Sequence, residues 1–214
     1  LRAGLALLLG LAAGQTLAAD LKVLSQGTPH DAFFDMALDG DQAIAVGAGG
    51  RVMTSKDGGK TWEKGVSPDN GGLALLGVAA LEGRRMAVGQ LGTAFRLNGD
   101  KWAALTTGTD ARLLSVALGN NGLAVAAGAF GMLLVSNDDG ASWTQVTMDW
   151  FEILQDAFEP NLYDIAIQGD VITVIGEFGL VIQSGDRGAS WAVIRKGDAT
   201  LFGLTLDSQG VGLA

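Results

Sequence analysis

Three stretches of the chain repeat one set of side chains at fixed spacing. They are Ser55-x-Asp57-x-Gly59-x-Thr61-Trp62, Ser136-x-Asp138-x-Gly140-x-Ser142-Trp143 and Ser184-x-Asp186-x-Gly188-x-Ser190-Trp191. An Asp two residues after a hydroxyl can accept backbone N–H bonds across a turn, and Gly can take a positive φ that other residues resist. This is the chemistry of a folded hairpin rather than of turnover. Asn137-Asp138-Asp139-Gly140 is the stretch nearest to a calcium loop, but it lacks the twelve-residue spacing and terminal Glu of an EF-hand. The chain has no Cys and a single His, His30, which removes thiol nucleophiles, thiolate zinc sites and multi-His sites. Two-carboxylate hydrolysis needs acids across a pocket. Asp35, Asp164 and Glu177 are the candidates, and nothing in their spacing makes them converge. No catalytic, cofactor-binding or metal-binding residue is therefore assigned.

The elements that carry these residues repeat. Four self-similar segments run over residues 33–62, 75–102, 113–143 and 162–191, and a fifth begins at 201. Their closing residues, Trp62, Trp102, Trp143 and Trp191, recur roughly every 40 residues or a little more, the period of a propeller or solenoid. Each unit reads as four short strands: an alternating first strand, a second ending in Gly-x-x-Gly, a third following at once, and a fourth starting at the Trp. Short strands with Gly-rich turns predict antiparallel hairpins, and hence an all-β propeller of four-stranded blades. The expected blades are 32–68, 73–108, 111–148 and 161–197, with the start of a fifth at 200–214. These form an incomplete arc of a ring of about six to eight blades. Leu21–Ser25 is expected to be a strand that completes the last blade of such a ring.

Bulky residues recur in the first strands at Phe34, Leu76, Leu114, Tyr163 and Phe202. Each is followed by a small or polar residue: Asp35, Gly77, Ser115, Asp164 and Gly203. Alternation sends the two sets to opposite faces. The bulky set is expected to pack over the small set of the neighbouring blade, and Tyr163, the only Tyr, is read as one of these packing residues. The second blade departs from the pattern, its last turn being Leu97-Asn98-Gly99-Asp100-Lys101-Trp102, without the Ser and the second Gly.

Composition bounds the rest. The 214 residues are 48% hydrophobic and 17% charged, with 33 Gly. That excludes a disordered chain, which needs low hydrophobicity and high net charge. The net charge of −9 argues against nucleic acid as a partner, since phosphate binding needs a basic face. Residues 1–19 read as a secretory signal: Arg2, an apolar run from Leu5 to Ala13, then small residues with cleavage after Ala18 or Ala19. The run is too short to span about 30 Å of hydrocarbon as a stable helix. An extracytoplasmic or periplasmic location follows, with membrane contact only through a partner or an uncleaved signal.

In a four-stranded blade, the turns between strands 1–2 and 3–4 share one side. The 2–3 turns and the inter-blade links share the other. The second side carries Leu91, Phe130, Glu177 and Phe178 inside the Gly-x-x-Gly turns. It also carries the longest link, residues 147–160, with Trp150, Phe151 and Leu154. Phe151, Leu154 and Phe158 fall at i, i+3 and i+7, one face of a short helix that Pro160 would stop. These residues are the candidate protein-binding surface. Arg84-Arg85 is read as a solvated turn.

The Ser-x-Asp-x-Gly-x-Thr/Ser-Trp turns resemble the Asp box of bacterial neuraminidase repeats (BNR repeats). Their combination with a secretory start and short Val/Ile-Gly-x-x-Gly units resembles the photosystem II assembly and stability factor propellers. The resemblance runs over residues 21–214 and is nearest in Val46-Gly47 to Trp62 and Ile175-Gly176 to Trp191. It implies a seven-bladed, non-enzymatic scaffold that binds protein, a subunit of a membrane complex, without a cofactor. The alternative is a sialidase-like glycoside hydrolase, which would need an arginine cluster, a Tyr nucleophile with a Glu partner and an acidic proton donor. No Arg-Ile-Pro motif stands near the first blade. A glycan-binding propeller is a third reading.

Overall fold

A computed structural model describes residues 23, 27, 28, 31–206 and 212–213. The proposed signal peptide lies outside the described residues, as does most of the Leu21–Ser25 strand. Four sheets of four antiparallel strands follow one another. The first contains β1 (Phe33–Asp39), β2 (Gln42–Gly47), β3 (Val52–Ser55) and β4 (Glu63–Lys64). The second contains β5 (Leu75–Leu81), β6 (Arg84–Gly89), β7 (Ala94–Asn98) and β8 (Lys101–Leu105). The third contains β9 (Leu113–Leu118), β10 (Ala124–Gly128), β11 (Leu133–Ser136) and β12 (Thr144–Gln145). The fourth contains β13 (Leu162–Gln168), β14 (Val171–Gly176), β15 (Val181–Ser184) and β16 (Ala192–Arg195). A two-stranded piece, β17 (Thr205–Leu206) and β18 (Gly212–Leu213), comes last. Strand order within each sheet is sequence order, the meander of a propeller blade.

Consecutive blades meet along their first strands, β1 against β5, β5 against β9 and β9 against β13. The second strands are buried on both faces, so Ala43–Val46 and Ala124–Gly128 are continuous apolar runs without alternation. Three apolar clusters fill the gaps. Ile44, Leu75 and Phe95 belong to the gap between the first and second blades. Met86, Leu113 and Leu134 fill the next gap, and Leu133, Leu162 and Ile182 the third.

The first strands correct one expectation. The residues that pack are Leu75, Leu113 and Leu162, each fully buried, and not the bulky residues that follow them. Phe34, Leu76, Leu114 and Tyr163 are each the extra residue of a β-bulge: the register slips between Phe33 and Asp35, Leu75 and Gly77, Leu113 and Ser115, and Leu162 and Asp164. A bulge leaves its extra residue out of the pairing and re-aims the strand. Period-2 reading cannot see that insertion, so the assigned slot was one residue late. Phe34 and Phe202 are exposed, and Tyr163 packs against Phe202 with ring centroids 4.8 Å apart.

Of the small and polar set, Asp35, Gly77, Ser115 and Asp164 do sit between blades, whereas Gly203 is exposed. The Val78 N–H donates to Asp35 Oδ2 at 2.8 Å, and the Leu204 N–H donates to Asp164 Oδ2 at 2.8 Å. The Ser115 hydroxyl donates to Asp164 Oδ1 at 3.1 Å. Gly77 needs to be Gly, because a methyl group there would come within 2.9 Å of the Leu114 carbonyl oxygen and Ser115 Cα.

The link also differs from expectation. Helix α1 covers only Trp150–Leu154. Asp149 caps it, accepting from the Glu152 N–H at 2.8 Å. Gln155 ends it in the left-handed region at φ 57°, well before Pro160. Phe158 is therefore not on the same helix as Phe151 and Leu154.

Candidate docking rim

Each 2–3 turn is built the same way. Its first Gly leans on the backbone just before the blade's first strand. A methyl group at Gly47, Gly89, Gly128 or Gly176 would overlap the carbonyl oxygen of Ala32, Ala74, Arg112 or Asn161, respectively. The same carbonyls accept the next N–H: Ala48 to Ala32 at 2.8 Å, Gln90 to Ala74 at 3.1 Å, Ala129 to Arg112 at 2.9 Å and Glu177 to Asn161 at 3.0 Å. The turn and the incoming link are thus one unit, on one side of every blade.

The third turn residue is in the left-handed region in all four blades. In the first blade it is Gly49, at φ 65°; in the others it is Leu91 (51°), Phe130 (56°) and Phe178 (57°). Bulky side chains resist that conformation. Here they do so while facing outward: Leu91 is 61% exposed, Phe130 66% and Phe178 36%. Leu91 and Phe130 therefore gain little burial to offset the strain, whereas the Phe178 ring is more than half covered, and Gly49 shows that the turn forms without a side chain.

The link residues divide. Phe151 is 67% exposed and Phe158 equally open, whereas Trp150 is only 8% exposed and belongs to the core cluster between the third and fourth blades. Its indole lies on Gly131, where any Cβ would collide with Nε1. Trp150 therefore anchors the link rather than offering it to a partner. Leu154 is half-buried. The Pro160 carbonyl accepts the Gly131 N–H at 2.7 Å, so both ends of the link are fastened to the turn that carries Phe130.

Glu177 is not a free acid. Its carboxylate accepts from the Asn161 N–H at 2.7 Å, from Asn161 Nδ2 at 3.1 Å and from the Tyr163 hydroxyl at 3.3 Å. Gln90 makes the equivalent clamp in the second blade, accepting the Ala74 N–H at 2.8 Å. Burial, then the Glu177 charge, push the Tyr163 phenol up, while Arg112 pulls it down. The Glu177 carboxylate is thus committed to the link and first strand of its own blade through Asn161 and Tyr163. Asp35 and Asp164 hold neighbouring blades, and burial, with a lesser contribution from Asp164's charge, raises the Asp35 pKa. Arg51 pairs with Asp31 beside a cavity of about 720 Å³ lined by Phe33, Gly49, Met53 and Lys64.

The opposite side is structural. The Ser55 hydroxyl donates to Asp57 Oδ1 at 2.8 Å and accepts from the Gly59 N–H at 2.9 Å. Asp57 accepts the Thr61 N–H at 2.9 Å and the Thr61 hydroxyl at 2.6 Å. The same network recurs at Ser136, Asp138, Gly140 and Ser142, and at Ser184, Asp186, Gly188 and Ser190. These bonds, above all those from Thr61, Ser142 and Ser190, hold the three Asp pKa values down at about 2. Trp62 and Trp191 donate to the carbonyls of Gly59 and Gly188 at 3.0 and 3.1 Å, while the buried Trp143 indole N–H has no partner.

Two arginines on this side act between blades. Arg84 pairs with Asp139 and also donates to the Gly119 carbonyl. Arg187 donates to Asn137 Oδ1 and to the carbonyls of Asn120 and Asn121. Arg84 is thus a clasp, not a solvated turn residue. Arg187 also pairs with Asp170 of its own blade at 3.3 Å, while its partners in the third blade lie about 50 to 67 residues away, beyond the reach of a local sequence signal.

No protein-family model matches the chain, and no curated protein matches it in sequence. Solved structures do match it in shape. U3-55K is 12% identical with a TM-score of 0.68, over 88% of this chain and 59% of that one. An ancestral GH74 enzyme is 19% identical with a TM-score of 0.65, over 83% of this chain and 26% of that one. YCF48 bound to D1 peptide is 14% identical with a TM-score of 0.50, over 84% of this chain and 88% of that one. The chain thus spans about a quarter of the enzyme's length, less than two thirds of U3-55K and most of YCF48. At these identities the likeness shows the fold, a β-propeller.

Proposed function

We propose that this chain is a non-enzymatic propeller scaffold that binds protein on the rim carrying its 2–3 turns and inter-blade links. One observation carries the reading: Leu91 and Phe130 hold strained backbone and well-exposed apolar side chains where the first blade manages with Gly49. Strain kept without a packing benefit points to use, and exposed apolar patches mark interaction surfaces. The resemblance to photosystem II assembly and stability factors supports the same class. So does the shape shared with YCF48, whose structure holds a D1 peptide. On this reading the partner is a subunit of a membrane complex. The Ser-x-Asp-x-Gly turns are Asp boxes of BNR repeats, and residues 1–19 send the chain to an extracytoplasmic compartment. The experiment is site-specific photocrosslinking in membranes, with a probe at position 130 or 178 and a control probe at 58 on the opposite rim. Adducts from the first two positions and none from the control are expected. Adducts only from 58 would sink the assignment.

A second reading, a sialidase-like glycoside hydrolase, draws on the Tyr163–Glu177 hydrogen bond near Arg112. The Gln90 clamp in the second blade accounts for the Glu177 position without catalysis. Turnover of a fluorogenic sialoside, abolished by Tyr163→Phe, would favour the enzyme.

A further inference from the structure

We infer that the segment docked on this rim is cationic with apolar anchors, and that it docks at the link between the third and fourth blades; the inference rests on the protein-binding reading above. Between Arg112 and Arg187 the chain has no Lys, Arg or His at all. The third blade, the link and most of the fourth blade are thus without a side-chain cation of their own. The link itself carries Asp149, Glu152, Asp156 and Glu159, all exposed. Among the described residues none of these four forms an ion pair. The ammonium of Lys196 does reach the link, where it donates to the Ile153 carbonyl rather than to a carboxylate.

Apolar surface lies among these acids. Phe151, Phe158 and Phe130 are each about two-thirds exposed. Beside α1 runs a cleft of about 490 Å³ whose apolar lining is Val146, Met148, Ile153 and Trp191; Asp149 and Glu152 line it too, with the polar Thr144, Thr147 and Ser190. The cleft has room for a Leu or Phe side chain, and two carboxylates of the link are part of its wall. The link is built to hold this shape. Trp150 is seated against Gly131, Asp149 caps α1, and Pro160 is bonded to Gly131. Little ordering would be needed on binding, which is how a preorganised site gains affinity. An acidic link beside a partly apolar cleft attracts a basic segment with apolar anchors and rejects an acidic one, because like charges brought together disfavour binding while opposite ones steer the encounter.

The test uses the full chain and three fluorescein-labelled peptides of about fifteen residues, sized to cross the link in an extended or helical form. One alternates Lys with Leu, one alternates Lys with Ser, and one alternates Glu with Leu. The Lys–Leu peptide is expected to bind at least about tenfold tighter than either other one, a difference of about 1.4 kcal/mol. Glu152→Lys with Asp156→Lys should reverse the preference towards the Glu–Leu peptide. Asp41→Lys with Asp100→Lys, on the opposite rim, should not. Phe151→Ser with Phe158→Ser should weaken the Lys–Leu peptide with an unchanged melting temperature, since both rings are exposed. Equal binding of the Lys–Ser peptide, or equal loss from the opposite-rim reversal, would overturn the inference as plain charge attraction. Tighter binding to zwitterionic lipid vesicles than to any peptide would overturn it in favour of a membrane surface. Should crosslinks from position 130 to a protein persist while no peptide binds, the partner chemistry fails and the scaffold reading stands.

Discussion

The guanidinium of Arg84 in the second blade lies 2.7 Å from the carboxylate of Asp139 in the third, and both are only partly exposed. The same guanidinium donates to the Gly119 carbonyl, so one side chain fastens two turns of the neighbouring blade. Arg84→Ala should destabilise the protein by about 1–2 kcal/mol, more than an exposed pair and less than a buried one. Asp139→Ala should lose less, because the bond to Gly119 survives. A double-mutant cycle in urea, read at constant m-value, separates the pair from the carbonyl bond; a coupling of zero would show that the pair contributes nothing.

The three turn tryptophans are not equivalent. Trp62 and Trp191 donate to carbonyls of their own turns, whereas the Trp143 indole N–H is buried without a partner. Trp62→Phe and Trp191→Phe should therefore each cost about 1 kcal/mol more than Trp143→Phe, the net worth of a hydrogen bond. Thermal melts of the three variants give the order directly.

Asp57, Asp138 and Asp186 titrate near 2 in the folded chain, against about 3.9 when unfolded. Their folded values are depressed, so the stabilisation is present above about pH 3.9 and is lost as pH falls through about 2. Asp57→Asn should melt below wild type at pH 5, and the gap should close by pH 2. A gap independent of pH would show that the turn does not depend on the charge.

Asp35 has the opposite sign. Burial raises its folded value, so folding favours the protonated acid; that contribution is present below the unfolded value of about 3.9 and fades as pH rises through the folded one. Asn keeps an oxygen for the Val78 N–H and carries no buried charge. Asp35→Asn should therefore gain on wild type between pH 3 and pH 7, read as the difference between paired melting curves.

Leu91, Phe130 and Phe178 give the clearest separation of stability from use. A bulky residue in the left-handed region costs about 1–2 kcal/mol, which Gly would relieve in part after its larger unfolded-state entropy. Leu91→Gly and Phe130→Gly should leave the melting temperature unchanged or raised while weakening partner crosslinking, with Phe178→Gly, whose ring is more covered, as the contrast that lowers it. A marked fall in melting temperature for the first two would mean that these side chains serve the fold.

The propeller was legible because its signals are local. The Trp-ended turns, the Gly-x-x-Gly hairpins and the period near 40 residues all lie within a single blade. What was not legible depends on something a pattern does not carry. The bulges at Phe34, Leu76, Leu114 and Tyr163 insert one residue into an otherwise correct alternation, so the buried Leu75, Leu113 and Leu162 were passed over. Trp150 is, by sequence, one more aromatic of an acidic link, and its burial depends on Gly131, some twenty residues earlier, which seats the indole. Arg84 and Arg187 found partners in another blade, a matter of tertiary geometry. The rim residues stood out by position, but the strain at Leu91, Phe130 and Phe178 needed coordinates.

The bonds from Asp35 to Val78, from Ser115 to Asp164 and from Asp164 to Leu204 each join chain segments 40 to 49 residues apart, never further. Stability along such a chain approximates a nearest-neighbour sum, as in linear arrays. Breaking one such bond, as in Asp35→Ala, should then quicken amide exchange first in the two blades that it joins. A defect in one wedge should propagate outward like a parted zip, leaving the blades behind it folded.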